Sequence, residues 1–135
     1  MFGMMRSPAE SYATVGIDVA VETADPHRLI LMLFDGAIAA TTIAKMHMEQ
    51  GDIPQKGAKI SKAIELINSG LRASLDMESG GLLAERLAAL YDYMVQRLLW
   101  ANVQNEPGAL DEVTTLLSEL RDAWSQIAPH DQVAA

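Results

Sequence analysis

A chain of 135 residues fits one domain, long enough to bury roughly two thirds of its unfolded surface without help from metals or disulfides. It contains no Cys, which excludes disulfide frameworks, thiolate metal sites and cysteine nucleophiles. Ten Lys plus Arg against 18 Asp plus Glu give a formal charge of -8, which repels phosphate backbones and anionic membrane surfaces and argues against nucleic acid as a partner.

Residues 1–24 form a weakly patterned leader. Met1 to Arg6 is apolar but too short for the core of a secretion signal, and no uncharged apolar run approaches the ~20 residues of a membrane span, so we expect no membrane insertion and a cytoplasmic location. Ser7-Pro8-Ala9-Glu10 carries a cap, a first-turn proline and an acidic second turn, which predicts a short helix through Tyr12. Beyond Gly16 the alternation Ile17, Val19, Val21 suggests extended chain. The leader is expected to lie along or across one end of the main body, with Tyr12 and Val15 as anchors.

Asp25-Pro26 opens the first long helix: Asp25 accepts backbone N–H bonds at the N-cap, and Pro26 sits where its missing N–H costs nothing. Gly51 ends it, giving a helix over about Pro26 to Gln50. Leu29, Leu33, Ala37, Ala40 and Ala44 share one side of the helical wheel, with Gly36 at the edge, and these small residues admit a close neighbour. Leu31, Phe34 and Ile38 form a separate apolar flank about 100° to 160° away. Six consecutive apolar residues, Leu29 to Phe34, cover the whole circumference, so a single buried stripe does not account for them.

Asp52-Ile53-Pro54 starts a second helix whose stripe Ile60, Ile64, Ile67, Leu71, Leu75 runs to about Asp76, with Lys56, Lys59 and Lys62 on what reads as a solvated face. Ser79-Gly80-Gly81 breaks the chain. The third helix, about Leu82 to Asn105, has a main stripe Leu83, Leu87, Leu90, Met94, Leu98, Ala101 and a second stripe Ala84, Ala88, Tyr91, Val95, Leu99. After Pro107-Gly108, the fourth helix, about Ala109 to Ala128, carries the seam Val113, Leu117, Leu120, Trp124, Ile127 and places Asp111 and Glu112 near its positive end. Helices of about 20 residues joined by short loops imply an all-α, antiparallel up-down four-helix bundle over residues 25–129, with a short N-terminal capping segment and a polar tail, residues 130–135. The same pattern also fits a dimer of helical hairpins, so both monomer and homodimer stay open.

The residues of chemistry are sparse. No Glu is followed three residues later by His, the spacing of bundle di-iron sites. His27 and His47 stand 20 residues apart on one helix, about 30 Å at 1.5 Å per residue, so they share no metal. His27 reads as a surface residue and His47 as a tolerated bundle-end residue. Asp35 and Asp92 sit beside aromatics, but a pair of carboxylates does acid-base work only in a shared desolvated cleft; ordinary surface acids are the simpler reading. No enzyme, cofactor or metal site is expected.

What remains is surplus apolar surface on helices one and three. They may be read as sitting deeper in the bundle, or as walls of a groove, Leu31, Phe34 and Ile38 facing Tyr91, Val95 and Leu99, that accepts an amphipathic helix from another chain. An alternative of another class is a signalling bundle of histidine phosphotransfer type, with His47 near Lys45 as phosphoacceptor. It requires an exposed mid-helix His, whereas His47 lies near a helix end.

Tyr12-x-x-Val15, Thr23-Ala24-Asp25-Pro26-His27-x-Leu29-Ile30, Met32-Leu33-Phe34-Asp35-Gly36-Ala37, Glu49-Gln50-Gly51-Asp52-Ile53 with Lys56-Gly57, Lys62-Ala63-Ile64, Leu75-Asp76-x-Glu78-x-Gly80-Gly81, Leu90-Tyr91-Asp92-Tyr93-Met94 and Ala123-Trp124 follow one another in order over about residues 10 to 129. As a set they resemble the flagellar secretion chaperone family, FliS. The resemblance implies an antiparallel helical bundle that binds the disordered C-terminal region of flagellin, keeps it from polymerising in the cytoplasm and helps deliver it to the export gate of the flagellar type III apparatus. It also implies that Tyr12 and Val15 belong to an N-terminal cap that moves when flagellin binds. The sequence departs from the family pattern in its first five residues, at Trp100 and after Pro129.

Overall fold

A computed structural model describes residues 25–127, which form four helices and, among the described residues, no strand. Tyr12 and Val15, the rest of the leader and the tail lie outside the described residues. Helix α1 spans Pro26–Glu49, α2 spans Ile53–Glu65 and continues as a π-helical segment, Leu66–Arg72; α3 spans Gly81–Gln104 and α4 Pro107–Ser125.

The expected start signals act as such. Asp25 Oδ1 accepts from Arg28 N at 2.8 Å and Asp52 Oδ1 from Gln55 N at 3.3 Å. Gly51, at φ 74, supplies the left-handed residue that turns α1 into α2. Two boundaries differ. Pro107 does not precede α4 but opens it at its first turn, where a missing N–H is free. The second helix ends at Arg72, not near Asp76, its last turns widened into the π segment. There α1 and α2 approach closely: a Cβ on Gly70 would lie 2.7 Å from Leu33 Cδ2, and one on Gly36 would lie 3.1 Å from Leu66 Cδ1. In the following loop Asp76 Oδ1 accepts from Ser79 N at 2.9 Å and Glu78 N at 3.1 Å, and the Ser79 bond leads in holding its carboxyl below the usual range.

Helices α1 and α3 each adjoin α2 and α4, so α1 and α3 are diagonal, as are α2 and α4. The core runs through Ala37, Ala40 and Ala44 of α1, Ile60, Ala63 and Ile67 of the second helix, Met94, Leu98 and Ala101 of α3, and Leu110, Val113 and Leu117 of α4. Buried Thr41 and half-buried Thr114 join hydroxyls at 2.7 Å across α1 and α4. Ion pairs set the outer registers: Asp35 with Arg121 and Lys45 with Asp111 tie α1 to α4, Arg72 with Asp92 ties the π segment to α3, and Arg97 with Glu112 ties α3 to α4. Asp35 and Asp92 are thus surface acids engaged with arginines on different flanks, sharing no cleft.

By length and composition α1 is apolar enough to cross a membrane, although Asp35 and Lys45 interrupt it and no uncharged run in it approaches ~20 residues. Its Asp35 and Lys45 pair with α4 and its alanine face is closed by neighbours, the arrangement of a bundle's central helix. Two further expectations are corrected. Lys56 is not on a solvated face but 4% exposed, its ammonium donating to Asn102 O at 3.0 Å and Asn105 Oδ1 at 3.1 Å, where it neutralises the negative end of α3. The buried stripe of α3 is Ala84, Ala88, Tyr91, Met94, Leu98, Ala101, and Leu83 stands 63% exposed.

Candidate functional site

At the α1–α2 loop end Ala40, Ala44, Ala101 and Ala109 pack with fully buried Ile60, Leu98, Leu110 and Val113; at the opposite end, where α3 buries Ala84 and Ala88, the large side chains Leu29, Leu33, Leu71, Leu75, Leu83, Leu87, Leu120, Trp124 and Ile127 collect. The large side chains at that opposite end do not fill the space between the helices. The result is a cleft of about 1250 Å³ lined by those large residues together with Ile30, Met32, Phe34, Leu66 and Tyr91. Its few polar members, Lys62, Ser69, Ser74, Asp35 and His27, are outnumbered by leucines. An empty space of this size is far larger than the voids of a packed core, and it exceeds the few hundred to ~1,000 Å³ of small-molecule pockets.

One edge of the cleft is fixed by a reciprocal clamp. His27 Nε2 donates to Trp124 O at 2.9 Å, Trp124 Nε1 donates to His27 O at 3.0 Å, and the rings stack with centroids 5.5 Å apart and 18° between planes. The first turn of α1 is thereby locked to the last turn of α4, 97 residues away in sequence. His27 is half-buried, not a surface residue, and the Asp-Pro-His and Ala-Trp segments meet here.

Of the six residues expected to wall a groove, the structure brings two together. Phe34, 3% exposed, and Tyr91, 4% exposed, both line the cleft from within the core. Burial pushes the Tyr91 phenol up to about 12. Leu31 and Ile38 are half-buried and stand outside the lining; Ile38 lies one turn from both Asp35 and Thr41, whose partners are on α4. Half-buried Val95 and 51% exposed Leu99 follow Asp92, whose partner is Arg72, along the α2 flank. The two pairs therefore occupy different corners, α1/α4 and α2/α3. The lining leucines had read as closed core, and no local pattern in the sequence marks them as open.

Near the other end, His47 has Nδ1 buried, 4.0 Å from Asp52 Oδ2, with its side chain 18% exposed, a setting that favours no phosphotransfer. Tyr93 donates to Glu112 Oε2 at 2.7 Å beside the Arg97 pair, which together hold the Glu112 carboxyl below its ordinary value. Among the described residues, no group of three His, Asp or Glu side chains could hold a metal ion.

The family model described as flagellar protein FliS matches residues 8–131. The flagellar secretion chaperone FliS of Salmonella typhimurium is 50% identical over 123 residues, 91% of each chain. Its namesake from Vibrio cholerae is 41% identical over 133 residues, 97% of each chain. That of Bacillus subtilis is 34% identical over 110 residues, 79% of this chain and 78% of its own.

Proposed function

The chain belongs to the FliS family of flagellar secretion chaperones, and from that premise we propose that it binds the disordered C-terminal region of flagellin in the cytoplasm. Bound there, the cargo is kept from polymerising and is presented to the flagellar type III export apparatus, with the export gate as a second partner. The observation that carries this reading is the open apolar cleft. A disordered segment folds on binding only if burial offsets its ordering entropy, and a leucine-lined cleft of about 1250 Å³ supplies that burial.

Phe34 and Tyr91 form the floor of the site, and the half-open flanks at Leu31 and Ile38 and at Val95 and Leu99 extend it along two corners that a wrapping segment reaches. The leader, with Tyr12 and Val15, is the segment that covers the cleft until cargo arrives. Pro26 and His27, just after the leader in sequence, line the cleft, so such a cover would be tethered at its mouth. Family membership favours a chaperone over the histidine phosphotransfer alternative.

Titration calorimetry with a C-terminal flagellin peptide tests the reading. Binding with a large negative heat-capacity change is expected. Leu83 lines the cleft yet is 63% exposed, so Leu83→Asp leaves the helices intact. It removes burial worth about 1.5–3 kcal/mol, tenfold or more in affinity. Absence of heat with the parent chain, or undiminished binding by Leu83→Asp, would contradict the assignment of this cleft to cargo.

A further inference from the structure

We infer that the Tyr91 hydroxyl sets the specificity of the cleft by hydrogen-bonding a polar group, a side-chain amide or hydroxyl, embedded in the apolar face of the segment that seats there. The inference rests on the cargo reading of the cleft. Tyr91 is 4% exposed and lines the cleft, yet among the described residues its hydroxyl has no hydrogen-bond partner. Two residues on, the Tyr93 hydroxyl donates to Glu112 at 2.7 Å, so the neighbouring phenol in the same motif is satisfied internally. Buried Tyr oxygens ordinarily find a partner. Nor is the Tyr91 oxygen sealed in the protein, for among the described residues only His47 Nδ1 is both enclosed and unpaired. We place that opening in the cleft, which Tyr91 lines and where water can satisfy the hydroxyl while the site is empty.

Seating an apolar face displaces that water. A wholly apolar segment then leaves a buried hydroxyl unpaired, whereas a segment with one suitably placed Asn, Gln, Ser or Thr restores the bond. Packing alone would be served by Phe, and leucines supply the rest of the burial. The phenol is the group that makes the cleft distinguish one amphipathic segment from another of equal hydrophobicity, because sites built to hydrogen-bond reject ligands that lack the partner.

The test is a double-mutant cycle by calorimetry on the full chain, with the C-terminal flagellin peptide and variants in which each Asn, Gln, Ser and Thr is changed singly to Ala. Tyr91→Phe is expected to weaken binding of the unaltered peptide about fivefold to tenfold. One peptide position should lose a similar factor against the parent chain and nothing further against Tyr91→Phe. The thermal midpoint of the free chain should not fall with Tyr91→Phe, since no internal bond is lost. Binding that Tyr91→Phe leaves unchanged, a fall in that midpoint, or the lack of any coupled peptide position overturns this inference while the cargo reading stands. A parent chain that binds no flagellin peptide overturns both.

Discussion

Lys56 shows how a single side chain can be misread from its neighbours. With Lys59 and Lys62 it forms a regular basic series, yet the bundle turns it onto the end of α3, where Asn102 O and Asn105 Oδ1 receive its protons. Asn105 adopts φ 55, a left-handed residue that places its side chain beside the last turn of the helix it terminates. That encounter depends on the register of α2 against α3, which no local pattern encodes. Lys56→Met keeps the buried methylenes and deletes the two bonds, so it should lower unfolding stability by about 1–3 kcal/mol in urea denaturation, with an unchanged denaturant slope. The opposite end of the pH scale reports on Tyr91. Its folded-state value of about 12 lies above the ~10 of an unfolded Tyr. Between these values the unfolded chain has lost a proton that the folded chain keeps, so stability is undiminished below pH ~10 and declines as pH rises toward 12. Tyr91→Phe should flatten that decline in urea midpoints measured against pH. A residual slope is expected from Tyr93, which the Glu112 bond also raises.

At the level of helices, existence and order were legible because the caps are strong: Asp25-Pro26, Asp52 and Gly51 act as their chemistry dictates. The face that α3 buries was not. Its two stripes, Leu83-Leu87-Leu90 and Ala84-Ala88-Tyr91, are both apolar, and hydrophobicity alone favours the leucines. Packing chose the alanines, because close approach to α2 and α4 needs small side chains, and Leu83 and Leu87 were left to the cleft. The π segment was equally hidden: Leu66 to Arg72 continues the helical spacing, and its widened turns lie where Gly70 and Gly36 bring it close to α1. Such wide turns are frequent at functional sites, and Leu66, Ser69, Gly70 and Leu71 of this one line the cleft. Gly70→Ala puts a methyl group against Leu33 Cδ2, and because Leu33 lines the cleft the side chain is expected to shift into it. The substitution gains up to about 1 kcal/mol of helix propensity against the cost of that shift. The expected outcome is little change in the thermal midpoint and a several-fold loss of peptide affinity by calorimetry. A stable variant with undiminished binding would show that Leu33 has room elsewhere.

For the molecule as a whole, the surplus of apolar surface was visible in composition, and its location was not. The outer flanks of α1 and α3 were the expected walls; the open end of the bundle is where the large side chains collect. A chain of charge -8 that carries an open apolar cleft stays dispersed by self-repulsion, but only up to the concentration at which cleft meets cleft. A cover tethered at the mouth lowers that risk and also taxes cargo binding, because apparent affinity falls by the fraction of molecules left uncovered. If the leader with Tyr12 and Val15 occupies the cleft half to nine tenths of the time, removing residues 1–15 should tighten peptide binding by about twofold to tenfold. Sedimentation should reveal concentration-dependent association of the shortened chain, suppressed by saturating peptide because both compete for the same leucines. Tighter binding without association would mean that the charge suffices for solubility and that the leader acts on affinity alone. If neither property moves, the leader has no part in the mechanism, and the cleft must be held open and soluble by the bundle itself.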